Sequence, residues 1–260
     1  PGATLTRMME KTPQLDYEAR EVIHLPDRPG AQTVIEIDYV YRGARADAVR
    51  SDLRHQSLTS YVEDRCALFS YIYGMNMCAI PQMSDDRRCN EITITTVVIT
   101  DDPWRVADAR GGRMFVSPES AFGYVLGEPE AARRFPYDLG DVRQGRVTTV
   151  VKTARRLVWP EARRHWDFGG LRLDVTSRRG QGVYEAVRDY TVVRPWLWAQ
   201  EKRALDGANA ELLAYDRLSL HMPARPAALW LPGFLLRIAI WGGLPALGVL
   251  VWLIRRLWPG

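Results

Sequence analysis

Apolar and polar residues alternate in two segments near the start of the chain, and this alternation predicts two β-strands. The segments span 17–25 and 32–41, and the loop between them has the turn-rich sequence PDRPGA. Every second residue of the second segment is apolar and is expected to face a core (Ile35, Ile37, Tyr39 and Tyr41). Over 44–74 the apolar residues recur mostly at spacings of three and four, which predicts a long helical insertion.

The second half of the chain shows the same strand pattern and then one amphipathic helix. Segments 91–100 and 147–159 are predicted strands, and 171–193 is predicted to form a hairpin whose turn has the sequence RRGQG. Residues 196–213 favour an amphipathic helix. Together these elements predict an α+β fold with antiparallel, β-sandwich-like sheets, the long helical insertion and the late helix.

The C-terminal region is the most hydrophobic part of the chain and predicts a single transmembrane helix over 232–258. The 17 residues of 238–254 carry no charge, which is the lower limit for a spanning helix. Trp230 and Trp258 lie 28 residues apart, about 42 Å of helix, and so match the two interfacial layers of a bilayer. A buried core helix or an amphipathic surface helix is the alternative. A proline-rich tether over 221–231 would join this helix to the preceding region.

Residues 1–220 are expected to form an extracytoplasmic α+β region, either undivided or split into subdomains 15–105 and 106–220. The chain of 260 residues is 47% hydrophobic, which suits a packed core and argues against bulk disorder. Its 35 basic and 31 acidic residues leave a net charge of +4, too small to favour a nucleic-acid partner. The chain begins at Pro1 with no methionine and no signal-peptide pattern, so we expect a fragment whose upstream part is missing.

Cysteine-dependent catalysis would need a reactive thiol within reach of a histidine. The candidates are three cysteines and three of the four histidines (Cys66, Cys78 and Cys89; His24, His55 and His165). Cys66 lies on the apolar stripe of the helical insertion, where burial raises a thiol pKa, and Cys89 enters a strand rather than a helix. The fourth histidine, His221, falls in the tether. We therefore predict structural cysteines, with at most one internal disulfide, and assign no catalytic residue.

The stretch SDDRRCN, 84–90, combines residues that could bind calcium with residues that favour a turn. Asp85, Asp86 and Asn90 offer oxygen ligands, but the ligand spacing of an EF-hand loop is absent. Asp and Asn side chains also close turns by bonding to their own backbone, and Asp85 or Asp86 could pair with Arg87 or Arg88. The sequence favours the turn, and with no phosphate loop or dinucleotide fingerprint we predict no metal and no cofactor.

The order of these features resembles the region after the catalytic domain in bacterial transglutaminase-like proteins, over roughly 15–220. DYVYRGARADAVR is a strand that leads into a helix; SDDRRCN, an alternating strand and Trp104 follow; RRFPYDL precedes two more strands; and YTVV leads into the late helix. In that family a β-rich domain of unknown function is followed by a papain-like transglutaminase core. The resemblance implies that the catalytic core lies before Pro1 and that no residue here carries its cysteine, histidine or aspartate.

Three functions follow as hypotheses. The first is a non-catalytic, membrane-anchored accessory domain that positions an upstream transglutaminase-like or cysteine-peptidase core, or its substrate. The second is a self-contained cysteine-dependent acyl-transfer enzyme, and the third is a membrane-tethered binding adaptor. The first implies three partners: the lipid bilayer through the C-terminal helix, an upstream catalytic domain in the same polypeptide, and a protein or peptide substrate. The resemblance places the protein in the bacterial inner membrane as a single-pass protein with a periplasmic soluble part.

Overall fold

A computed structural model describes the residues from 15 to 222 with gaps. The described residues are 15–26, 31–73, 76–100, 105–106, 113–116, 122, 136–139, 143–154, 157, 162–216 and 219–222. They all belong to one compact unit, Pro1–Met222.

The described part of the chain contains three helices and fourteen strands. The helices are α1 (Ala44–Asp52), α2 (Leu58–Tyr73) and α3 (Ala199–Asp216). The strands are β1 (Tyr17–His24), β2 (Thr33–Arg42), β3 (Asn76–Cys78), β4 (Gln82–Asp86), β5 (Glu91–Thr100), β6 (Arg105–Val106), β7 (Arg113–Val116), β8 (Tyr137–Asp138), β9 (Gln144–Lys152), β10 (Ala162–Asp167), β11 (Leu171–Arg179), β12 (Val183–Val192), β13 (Trp196–Leu197) and β14 (Ser219–Met222). The predicted α+β character is confirmed, and the helical insertion consists of two helices.

A mixed nine-stranded sheet dominates the fold. Its order is β10-β11-β12-β9-β1-β2-β5-β3, and β4 also pairs with β5. The antiparallel expectation is wrong at one point, because β1 and β9 pair in parallel from Tyr17↔Gly145 to His24↔Lys152. A parallel pair joins segments that are distant in sequence, which a local pattern cannot reveal. This sheet contains strands from both of the possible subdomains, 15–105 and 106–220. Two small sheets, β13-β8 and β14-β7-β6, complete the described strands, and the sandwich-like packing stays a prediction.

One face of the large sheet carries most of the hydrophobic core. Ile35, Ile37, Tyr39 and Tyr41 of β2 are all buried, as their alternation predicts. Helices contribute apolar side chains to the same core cluster, among them Val49 of α1. Complete burial of an isoleucine side chain stabilises the fold by about 2 to 3 kcal/mol. The strand alternation in this sequence therefore specifies which side of each strand faces inward.

Gly145 allows the core to close around Tyr190. The two residues are paired across β9 and β12. A Cβ atom at position 145 would lie 2.3 Å from Cε1 of the Tyr190 ring, far closer than carbon atoms approach. Glycine is thus required here by the close approach of an aromatic ring.

A disulfide between Cys66 and Cys78 joins α2 to the edge strand β3, with the two Cα atoms 6.3 Å apart. The bridged residues are separated by 12 positions, and closing a loop of that length removes about 3 kcal/mol of chain entropy from the unfolded state. The prediction of a structural role is confirmed for these two cysteines. Beyond Cys78, residues 79–81 oppose only two residues of β5, so the edge carries a β-bulge that contains Pro81.

No helix among the described residues is long and apolar enough to cross a membrane. The predicted transmembrane helix over 232–258 lies outside the described residues, as do Trp104 and most of the predicted tether over 221–231. His221, which we placed in that tether, belongs to β14.

Candidate functional site: a groove across the sheet

The stretch SDDRRCN forms the end of β4 and the turn that connects it to β5. Oδ1 of Asp86 accepts hydrogen bonds from the backbone N–H groups of Arg88 at 2.9 Å and Cys89 at 3.2 Å. These bonds lower the pKa of Asp86, the bond from Cys89 most strongly. Asn90 completes the turn with a left-handed φ of 50°, which asparagine tolerates better than most residues. The predicted turn is confirmed.

Arg50 of α1 ties this turn to the rest of the fold. Its guanidinium donates to Oδ1 of Asp85 at 2.7 and 3.1 Å and to Oδ1 of Asp47 at 2.9 Å, and it also bonds to Asn90. The hydrogen bond from Arg50 is the main reason why the pKa of Asp85 lies below its ordinary value. Arg87 lies 3.4 Å from Asp85, so that predicted pair is confirmed, but the sequence did not reveal Arg50 as the principal partner. No cluster of three possible metal-binding His, Cys, Asp or Glu residues occurs among the described residues.

Two of the three candidate cysteines cannot supply a papain-like thiol, and two of the three candidate histidines lie far from the third cysteine. Cys66 and Cys78 have no thiol because they form the disulfide, and Cys89 is exposed in the β4–β5 turn. His165 lies on β10, six strand spacings or about 29 Å from β5. His24 lies at the far end of β1, level with Ile99 of β5. Glu91, which lies beside the turn with Cys89, is eight residues or about 26 Å from Ile99 along β5. The third candidate histidine, His55, follows α1 and is exposed.

The face of the sheet opposite the core carries charged side chains in rows that run across the strands. One row contains His165, Asp174, Asp189 and Arg146, each opposite the next on neighbouring strands. Nδ1 of His165 lies 2.8 Å from Oδ1 of Asp174. Arg146 binds both carboxylate oxygens of Asp189 at 2.6 and 3.2 Å, and this bonding raises the pKa of Arg146. Asp174 and Asp189 face one another, but each carboxylate has its own partner: His165 for Asp174 and Arg146 for Asp189.

A second charged row runs parallel to the first, four residues along each strand. It contains Arg178 of β11 opposite Glu185 of β12, and the guanidinium donates to both carboxylate oxygens at 2.9 to 3.2 Å. The row continues with Val150 and Val22, which are paired across β9 and β1 and are both buried. Bidentate pairing holds the Arg178 side chain in one orientation along the sheet.

Small uncharged side chains lie between the two charged rows. Thr176, Val187 and Thr148 are directly opposite one another on β11, β12 and β9. The same row begins at Arg163 of β10, reaches Arg20 of β1 and continues to Asp38 of β2, which lies directly opposite Arg20. We call this depression the groove: its floor is Thr176, Val187 and Thr148, its walls are the pairs Arg146–Asp189 and Arg178–Glu185, and its ends are Arg163 and Arg20.

A cavity of about 310 Å³ occupies the groove. Floor and wall side chains line it together (Arg146, Thr176, Arg178, Glu185 and Val187). A second cavity of about 170 Å³ shares Arg178 and Glu185 and extends toward the β11–β12 turn at Gly180. Concave space on an otherwise flat sheet face is the usual form of a binding site.

The electrostatic character of the groove differs between its walls and its ends. Each wall pairs one arginine with one carboxylate and is close to neutral. Arg163 and Arg20 are both exposed, and neither lies within ion-pair distance of a carboxylate among the described residues. Asp38 lies directly opposite Arg20, and Asp174 extends the row of Arg146 and Asp189, so both acidic and basic side chains surround the neutral floor.

The alternation of the strands was the only sequence pattern that pointed to the groove residues. It places Thr148, Thr176 and Val187 on the face opposite the core, but it does not show that they are neighbours. That information lies in the strand register, which depends on the whole sheet.

Comparison of the chain with protein-family models, with curated proteins and with solved structures gives no match.

Proposed function

We propose that this chain is a non-catalytic, membrane-anchored accessory domain that positions a transglutaminase-like or cysteine-peptidase core, or that core's substrate. The observation that carries the proposal is the Cys66–Cys78 disulfide, because it removes two of the three candidate nucleophiles. The third, Cys89, is exposed in a turn where its backbone N–H binds Asp86. The Cys89 side chain also hydrogen-bonds to the Asp86 carboxylate, and a negative charge beside a thiol disfavours the thiolate that nucleophilic catalysis needs.

The disulfide also supports the proposed location. Structural disulfides persist in oxidising compartments such as the bacterial periplasm and are rare in the cytosol. We propose that residues 1–220 lie on the periplasmic side of the inner membrane and that a single helix over 232–258 anchors them. Protease added to intact spheroplasts should then digest residues 1–220, and full protection of these residues would contradict the proposed orientation.

A labelling and activity experiment tests the non-catalytic role. A chain of residues 1–260 is treated with a maleimide probe at neutral pH, with and without prior reduction, and assayed for acyl transfer and peptide hydrolysis. We expect one labelled cysteine without reductant, three after reduction and unfolding, and no turnover of either substrate. Turnover that disappears in Cys89→Ser but persists in the Cys66→Ser/Cys78→Ser double variant would establish the chain as an enzyme instead.

The groove favours a second candidate, a tethered adaptor that recruits a separate partner. The adaptor and the accessory domain differ in whether the catalytic core belongs to the same polypeptide. Detection of the native protein with an antibody against residues 162–216 distinguishes them. The accessory domain should migrate well above 29.6 kDa, because it carries the core, and the adaptor should not.

A further inference from the structure

We propose that the segment 193–198, which joins β12 to α3, rests on the headgroup layer of the bilayer. Its contact residues are Val193, Trp196 and Trp198, and we call these three side chains the tryptophan patch. This inference rests on the proposed membrane anchor and adds a second contact of the same protein with lipid. The occupant is the neutral, zwitterionic headgroup region of the membrane.

The tryptophan patch exposes three apolar side chains that are close together in the chain. Trp196 and Trp198 are 41% and 52% exposed, and Val193 is 50% exposed. Leu197, between the two tryptophans, is completely buried, so both indole rings point outward from β13 while the leucine points inward. An indole ring is large and apolar but carries one polar N–H group, and this combination favours the boundary between hydrocarbon and water.

Local contacts hold the tryptophan patch in place. The N–H of Val193 donates to the carbonyl oxygen of Gly170 at 2.8 Å. A Cβ atom at Gly170 would lie 2.7 Å from the carbonyl oxygen of Trp196, so Val193 and Trp196 both lie against this glycine. The N–H of Trp198 donates to Oε2 of Glu201 at 2.8 Å. A surface that is fixed in this way loses little conformational entropy when it meets a partner.

The charged side chains around the tryptophan patch are of both signs. Three ion pairs flank it (Asp167–Arg172, Arg194–Glu201 and Lys202–Asp206). Asp138 lies directly opposite Trp196, the backbone of Arg143 binds the residue before Val193, and Arg203 follows in the first turns of α3. The pairs cancel, and one carboxylate and two arginines leave about +1 in total. Charge thus selects neither an acidic nor a basic partner, and the exposed rings are the distinguishing feature.

The length of the tether lets the tryptophan patch reach the bilayer. Met222 is the last described residue, and ten residue steps separate it from the start of the predicted helix at 232. Ten extended steps span at most about 33 to 36 Å. For comparison, helix α3 extends about 27 Å from Trp198 to Asp216. A protein tethered this closely meets the membrane at a high effective concentration, so a small apolar patch is sufficient for contact.

The inference is tested with a chain of residues 1–260 that is labelled with fluorotryptophan and reconstituted in phosphatidylcholine nanodiscs. A gadolinium chelate on a fraction of the lipid headgroups broadens the fluorine NMR signals of residues near the headgroup layer, and single Trp→Phe variants assign the signals. We expect the signals of Trp196 and Trp198 to broaden. Those of Trp230 and Trp258 should broaden as well, because the predicted helix places them in the two interfacial layers.

Trp198→Ser tests the patch itself, and Ile80→Ser is the matched control. Loss of one indole ring weakens the contact, so the Trp196 signal should lose most of its broadening in Trp198→Ser. Ile80 is 85% exposed but lies in the bulge between β3 and β4, so Ile80→Ser should leave the broadening unchanged. Raising the salt from about 50 to about 300 mM should have little effect, because the contact is apolar. Circular dichroism checks that both variants keep the fold.

Three results would overturn the inference. In the first, the signals of Trp196 and Trp198 stay sharp while those of Trp230 and Trp258 broaden, which would leave the patch to a protein partner. In the second, the Trp196 signal broadens equally in Trp198→Ser and in the unmodified chain. In the third, broadening appears only after phosphatidylglycerol is added, so that charge rather than the rings makes the contact. Failure of the proposed anchor is distinguishable, because the signals of Trp230 and Trp258 would then stay sharp.

Discussion

Replacement of Arg188 by methionine should lower the free energy of unfolding by about 3 to 5 kcal/mol. Arg188 of β12 is completely buried on the core face of the large sheet. Its guanidinium donates hydrogen bonds to the carbonyl oxygen of Asp216 at the end of α3 and to Oγ1 of Thr149. The hydroxyl of Thr149 donates in turn to Oε2 of Glu21 at 2.8 Å, and Glu21 is also completely buried. Removal of the guanidinium takes away the cation of a buried network that contains a carboxyl group, which is the origin of the expected cost.

A double-mutant cycle separates the network from simple loss of volume. Glu21→Leu alone should cost several kcal/mol, since it leaves the Arg188 charge buried without its acidic counterpart. The double variant Glu21→Leu/Arg188→Met replaces both charged groups with apolar side chains. We expect it to be more stable than either single variant, because exchanging a whole buried ionic network for apolar side chains is often close to neutral.

Urea unfolding followed by tryptophan fluorescence measures all three variants. Arg178→Met is the control, because Arg178 is exposed and its pair with Glu185 lies on the surface, where such pairs contribute 1 kcal/mol at most. A cost below about 1 kcal/mol for Arg188→Met, or additive costs in the double variant, would refute the idea that the two buried charges depend on one another.

Three further changes test other parts of the fold. The Cys66→Ser/Cys78→Ser double variant should lose about 3 kcal/mol in urea unfolding under oxidising conditions and should match the unmodified chain once both are reduced. Gly145→Ala should lower the free energy of unfolding by at least about 1 to 3 kcal/mol, because the new methyl group meets the ring of Tyr190. Gly207→Ala, in open space within α3, should instead raise it by roughly 0.5 to 1 kcal/mol. Equal effects of the two changes would contradict the packing. The folded-state pKa of Asp85 lies below its ordinary value of 3.8, so its contribution to stability is present above that pH and is lost as the pH falls through the folded-state pKa. Asp85→Asn should therefore lower the free energy of unfolding at pH 7 and flatten the acid unfolding profile below about pH 4. An unchanged profile would contradict the ion pair.

Much of the secondary structure follows from the sequence because it depends on neighbouring residues. The predicted hairpin over 171–193 is the pair β11 and β12, and the predicted helix over 196–213 is α3, shifted by three residues at each end. The turn in SDDRRCN is equally local, since the carboxylate of Asp86 binds backbone groups only two and three residues away. The transmembrane helix over 232–258 and the family resemblance stay predictions.

The alternation of apolar and polar residues determined which face of each strand is buried, but it carries no information about which strands are neighbours. A local pattern thus predicted the core positions of β2, while the parallel pairing of β1 with β9 came only from the tertiary structure. The groove depends on that pairing, because Arg20 joins its row solely through the register of β1 against β9. Arg50 and Arg188 are similar cases, since Asp85 lies 35 residues from Arg50 and Asp216 lies 28 residues from Arg188 along the chain. Strand register minimises the free energy of the whole sheet, so contacts that it creates are absent from any short stretch of sequence.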